Sequence, residues 1–202
     1  AEELREADYI LGIDALPEIA EILKKKERTI KIEKDPKFIY SSNDSRVLSL
    51  SPHVAYLKIA DGCDNCCTYC SIPGIRGHFR ERELSDIIKE EKRLIESGIK
   101  EIVIIAQDPT RYGSTNGSSL PKLIKEMDKI EGEYRLRVMY LYPSRVTDEV
   151  LDAINESAHF IPYFDIPVQH ISSKVLKEMN RSYAEKDVYD LIHELGHCLH
   201  AI

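Results

Sequence analysis

Four cysteines fall in one short run, Cys63-Asp64-Asn65-Cys66-Cys67-Thr68-Tyr69-Cys70. Thiols packed this closely point to metal chemistry. One grouping pairs Cys63 with Cys66 and Cys67 with Cys70, as two C-x-x-C units around zinc. Such units normally stand about a dozen or more residues apart so that both can face one ion. Here they abut, and adjacent Cys66 and Cys67 cannot easily converge on one metal. The other grouping takes Cys63, Cys67 and Cys70, spaced C-x-x-x-C-x-x-C. Three thiolates from one loop can hold three irons of a [4Fe–4S] cube, leaving the fourth iron open to a ligand. Cys66 is then left over, and the aromatic Tyr69 stands beside the last thiol. Cysteines can also serve as small buried hydrophobes, but four in so short a loop do not suit that role.

A second pattern lies near the end of the chain. His193-Glu194-Leu195-Gly196-His197 fits H-E-x-x-H, in which a helix sets two zinc ligands side by side with a general-base carboxylate. His200 shares the same helical face. The chain supplies no third ligand downstream and no substrate-binding strand ahead of the helix. Tyr189, Ile192 and Leu199 describe an ordinary amphipathic helix, so no protease site is expected here.

Composition narrows the class. Of five cysteines, four sit in the cluster rather than being spread as a disulfide framework. No secretion signal opens the chain, so a reducing compartment, the cytoplasm, is expected. The 202 residues are 43% apolar with a net charge of −7. That is enough for one domain with a real core, and it makes a poor bulk partner for nucleic acid. No run approaches the roughly 18 apolar residues of a membrane span. The chain opens at Ala1 within a helical-looking stretch and has no initiator Met, so an internal piece of a longer protein is expected.

The elements that must position the cysteines follow from periodicity. Residues 1–27 carry a helical pattern with Ile19, Ile22 and Leu23 on one face. Residues 28–52 are polar and irregular and read as a linker. Strands are expected at 54–59, 101–106, 135–141 and 160–168. Helices are expected from a Ser85 cap to Gly98, near 119–129, from a Thr147 cap to about Glu156, and over 172–180 and 184–200. Strands alternating with helices predict an α/β fold with a parallel sheet, a partial (βα) barrel truncated after about four units. The cluster directly follows the first strand, where chemistry sits in such folds.

The cysteine spacing after a first barrel strand resembles the radical S-adenosylmethionine (SAM) superfamily. Tyr56-Leu57-Lys58-Ile59-Ala60-Asp61-Gly62-Cys63, with Thr68-Tyr69-Cys70-Ser71-Ile72-Pro73 and Arg76-Gly77, is similar to its methylthiotransferases. Ala106-Gln107-Asp108, Tyr112-Gly113, Met139 to Pro143, Asp165 to Ser172 and Met179-Asn180-Arg181 resemble the RimO type, which modifies an aspartate of a small-subunit ribosomal protein. The MiaB type, acting on tRNA adenosines, usually has Gly-Gln-Asn at 106–108 and Gln-Ser-Gly at 169–171. The resemblance covers about residues 54–183, and residues 7–23 resemble the tail of the family's N-terminal domain. It implies residues 53–202 as an incomplete radical SAM domain. Cys63, Cys67 and Cys70 would ligate a [4Fe–4S] cluster that cleaves SAM to a 5′-deoxyadenosyl radical. Tyr69 would lie near the adenine, and Gln107, Asp108, Gln169 and His170 at strand ends would be SAM contacts. A ribosomal-protein substrate and an electron donor such as flavodoxin or ferredoxin are implied. The family's second cluster, held by three further N-terminal cysteines, has no counterpart among the five present, and its C-terminal β domain has none either. The alternatives are a tRNA-modifying enzyme, with nucleic acid then a partner, and a non-catalytic metal-binding fragment.

Overall fold

The computed structural model describes residues 4–48 and 51–198. Its centre is a parallel sheet of three strands, β3 (Val54–Lys58), β6 (Glu101–Ile105) and β7 (Arg135–Val138), in the order β3-β6-β7. Ala55 pairs with Ile102 and Ile102 with Leu136 in register. Central strand β6 buries three consecutive side chains, Ile102, Val103 and Ile104. An apolar run buried on both faces is what a covered parallel strand requires.

Helices α3 (Leu84–Glu96), α4 (Leu120–Met127) and α5 (Asp148–Asn155) link these strands and cover the sheet. Helix α4 shows why the segment is helical. Ser119 caps it by accepting from Lys122 N, and Leu120, Leu123, Ile124 and Met127 fall on one buried stripe. Burying each such side chain contributes about 1.5–3 kcal/mol. Helix α3 starts at Leu84 with Glu83 as its cap, so Ser85, the expected cap, lies inside the first turn. Gly98 ends it in a left-handed conformation, as its position past the apolar stripe predicts.

The expected fourth strand over 160–168 is a correction. Only Phe160 bridges the sheet, pairing with Leu136. Pro162 and Pro167 have no N–H to give a ladder. The chain instead kinks tightly, with Tyr163 N donating to Ile161 O and Val168 N to Ile166 O. It stays beside β7 through Leu141 N to Asp165 O at 2.9 Å. Helices α6 (Ser173–Glu178) and α7 (Glu185–Cys198) close the chain.

The N-terminal reading also changes. Residues before 28 hold a strand as well as a helix. β1 (Tyr9–Leu11) pairs in parallel with β2 (Thr29–Lys31), and α1 (Ile19–Lys25) lies between them. β2 therefore falls in the stretch read as a linker. Strands of three residues are too short for an alternation to register. Residues 37–46 lack regular structure but are tied down. Asp14 accepts from Lys37 N and Phe38 N, Asp86 accepts from Ser42 N, and Arg46 donates to Glu90 and to Tyr56 O.

Glu91, on the inner face of α3, is fully buried, and neither carboxylate oxygen has a hydrogen-bond partner. Burial, with a contribution from the Asp128 charge, pushes its pKa from the ordinary 4.5 up to about 9. The folded state therefore keeps a proton that the unfolded state releases between those values. Stability is full below pH 4.5 and declines as pH rises toward 9. Glu91→Gln, a neutral isostere, should leave the melting temperature nearly unchanged at pH 5. At pH 8 it should raise stability by roughly 1–3 kcal/mol. Equal effects at the two pH values in thermal denaturation would overturn the assignment.

Candidate functional site

The cysteine loop is an excursion from a two-residue ladder. β4 (Ala60–Asp61) pairs antiparallel with β5 (Arg80–Glu81), so residues 62–79 leave and re-enter at one point, with the short helix α2 (Ile72–Arg76) on the way. At the exit, Gly62 has φ +76°, and a Cβ there would stand 2.1 Å from His78 O. Only glycine fits so close a crossing of two backbones. Cys63 N then donates to Gly77 O at 3.2 Å.

The loop is held from three further directions. Asp64 accepts from Phe79 N and pairs with His78 and with Arg111 Nη1 at 3.1 Å. Burial works to raise the Asp64 pKa, but these partners outweigh it and hold the carboxyl below its usual range. Asn65 Nδ2 donates to Asp108 Oδ2 at 2.7 Å, while Arg145 bridges the pair, at 2.6 Å to Asp108 and 2.8 Å to Asn65 Oδ1. Thr110 Oγ1 donates to the other Asp108 oxygen. On the far side, Thr68 N and Oγ1 donate to Met179 O and Glu178 O, and Asn180 Nδ2 donates to Cys66 O at 2.9 Å.

Within this frame Cys63, Cys67 and Cys70 line one cavity of about 310 Å³. Asn65, Tyr69, Ala106, Gln107, Tyr140, Tyr142 and Arg181 help to line it. Cys63 is buried, and burial raises its thiol pKa above the ordinary value. Burial likewise raises Tyr69. Cys66 takes a left-handed conformation, φ +50°, is exposed, and does not line the cavity. Among the described residues no three His, Cys, Asp or Glu side chains are arranged to hold a single metal ion. The donor set is three thiols around an open space, beside Gln107 Oε1, a buried acceptor without a partner. That set fits a multi-iron group and a polar ligand which bring their own atoms to the cavity.

The strand-end residues separate. Gln107 lines the cavity, whereas Asp108 is fully buried in the knot with Asn65, Thr110 and Arg145. Gln169, φ +65°, and His170 are exposed and off the cavity wall, and His170 Nδ1 accepts from Ser172 N. Tyr140, Tyr142 and Arg181 line the site although their residue types alone did not mark them. The signal available for Tyr140 and Tyr142 was their place at the end of β7. His193 and Glu194 lie exposed on α7, while the side chains of His197 and His200 are outside the described residues.

The Asp108–Arg145 pair gives a test of what holds the loop. Arg145→Met leaves a buried carboxylate without its cation, a loss of about 3–5 kcal/mol for a fully buried pair. Arg145 is 33% exposed, so roughly 2–3 kcal/mol is expected here, read from urea denaturation. Adding Asp108→Asn should recover part of it. An unchanged midpoint for Arg145→Met would show that the knot is dispensable.

Comparison with known proteins sets this geometry in a family. The family model described as the radical SAM superfamily matches residues 57–198. The chain is 42% identical over 198 residues to ribosomal protein uS12 methylthiotransferase RimO of Geotalea uraniireducens, an alignment covering 96% of this chain and 44% of the relative. It is 46% identical over 165 residues to the protein of the same name from Dictyoglomus thermophilum, covering 80% of this chain and 37% of that one. The chain thus spans less than half the length of these curated relatives. Among solved structures, the apo, selenomethionine-labelled cobalamin-dependent SAM radical enzyme OxsB superposes with a TM-score of 0.64 at 16% identity, over 91% of this chain and 31% of that one. The radical SAM methyltransferase TsrM from Kitasatospora setae gives 0.57 at 18%, over 70% and 28%. Identities this low speak for the fold alone, a partial radical SAM barrel. With a family match running through most of the chain and three cysteines of the expected spacing gathered at the mouth of its sheet, the chain belongs to the radical SAM superfamily.

Proposed function

We propose that this chain is the cluster-bearing part of a radical SAM methylthiotransferase that acts on an aspartate of ribosomal protein uS12. The observation that carries the reading is the meeting of Cys63, Cys67 and Cys70 at one cavity while Cys66 stands outside it. The names of the similar relatives favour the ribosomal protein over tRNA as substrate.

A bound [4Fe–4S] cluster with one open iron supplies the electron that cleaves SAM to a 5′-deoxyadenosyl radical. The chain's own task is ligation, orientation and exclusion of water. Cys63, Cys67 and Cys70 are the ligands in this reading. Their thiols must lose protons on loading, which the buried Cys63 resists until metal compensates. Gln107 Oε1, with no internal donor, is placed to accept from a ligand amine. Tyr69 and Tyr140 offer aromatic faces to a base. No helix among the described residues is long and apolar enough to cross a membrane. A uS12 substrate places the work in the cytoplasm, and a small electron carrier such as flavodoxin or ferredoxin is the partner class required.

The test is reconstitution with iron and sulfide in the absence of oxygen. Cys63→Ala, Cys67→Ala and Cys70→Ala should each lose most of the iron and the charge-transfer absorption, while Cys66→Ala keeps both. Retention of the chromophore in Cys67→Ala together with its loss in Cys66→Ala would overturn the ligand set.

A further inference from the structure

The cavity wall carries a single charged side chain among the described residues, Arg181; the rest is thiol, amide, phenol or apolar. Its placement is rigid. Asn180, φ +56°, sits just past the end of α6, with its N–H on Lys177 O, and Arg181 N donates to Leu176 O at 2.9 Å. This paired closure is a Schellman stop, which fixes the direction of the residue after the left-handed one. The guanidinium then lies among three phenol rings. Its carbon is 5.8 Å from the centre of Tyr69, 5.0 Å from Tyr142 and 5.9 Å from Tyr183. Nη2 donates to Tyr69 Oη at 2.7 Å, and Nε is buried without an acceptor.

The missing partner sets this arginine apart. Arg76, Arg82, Arg111 and Arg145, around the same loop, each pair with a carboxylate of the chain. Among the described residues no carboxylate lies within ion-pair distance of Arg181, and the groups that act on its charge are tyrosines and Cys67. A guanidinium held among aromatic faces is preorganised, keeps its charge, and presents its free N–H edge in a fixed plane. The ligand such a fork matches is a planar carboxylate.

We propose that Arg181 is the carboxylate-binding residue of this cavity. The inference rests on the functional reading above, which supplies two ligands of that chemistry: the amino-acid end of SAM and the side chain of the substrate aspartate.

The experiment measures equilibrium binding to the iron-loaded chain of four probes: SAM, decarboxylated SAM, a uS12 peptide carrying the aspartate, and the same peptide with asparagine. Arg181→Gln should weaken one carboxylate-bearing probe about 10- to 100-fold and leave its carboxylate-free counterpart within about twofold. Loss confined to SAM assigns the carboxylate to the cofactor, and loss confined to the aspartate peptide assigns it to the substrate. Arg181→Lys, which keeps the charge but not the fork, should fall between. Iron content and far-ultraviolet circular dichroism check that the variants are folded and loaded. Equal losses for paired probes, or no loss for either, overturn the proposal. Wild-type chain that binds neither SAM nor peptide sinks the functional reading and this inference together; wild-type binding that Arg181→Gln leaves unchanged sinks the inference alone.

Discussion

One buried carboxylate holds the site together. Asp108 ends the central strand with its side chain almost wholly removed from water. A carboxylate there is tolerable only if its oxygens are paired and hydrogen-bonded. The partners come from three places: Asn65 from the cysteine loop, Thr110 from the next turn, and Arg145 from the turn after β7. Satisfying one charge therefore fixes the mutual position of three strand ends. The cysteines follow, because Asn65 lies between Cys63 and Cys66.

A loop pinned at one point can still pivot. The second restraint is backbone crowding at Gly62 and His78 O, which sets the direction in which the chain leaves the sheet. The third is the end of α6, whose last carbonyls accept from Thr68 while Asn180 holds the Cys66 carbonyl. Holding Cys66 by its backbone in a left-handed conformation is what separates it from its neighbours. Four cysteines close in sequence become three at the cavity and one outside it. Spacing alone suggested that division; the left-handed turn is its physical cause.

The legible parts of the sequence were those where one local rule dominates. The apolar run of β6, the i, i+3, i+4 stripe of α4 and the glycine after α3 each announce a structure without outside help. The fourth strand was misread because Phe160, Ile161, Phe164, Ile166 and Val168 look like a strand by apolarity, while Pro162 and Pro167 remove the donors a strand needs. β1 and β2 were too short to show a period. Arg181 could not be marked from sequence, since its significance is a carboxylate that is absent nearby and rings contributed from three segments. Such a feature exists only after folding.

Gln107 and Asp108 show how far reasoning by position can go. Both stand where the strand ends, and both were expected to face a ligand. Along an extended chain successive side chains point in opposite directions. If one of two neighbours faces the cavity, the other must turn toward the interior. Here Gln107 lines the cavity with an unpartnered oxygen, and Asp108 turns into the knot. The chemistry of the two groups fits that division. A neutral amide can wait in a half-buried cavity without a counterion, whereas a carboxylate beside thiols that must ionise would oppose their charge. Turned inward against Arg145, the carboxylate is neutralised, and the same negative charge that would hinder loading becomes the anchor of the loop that carries the thiols.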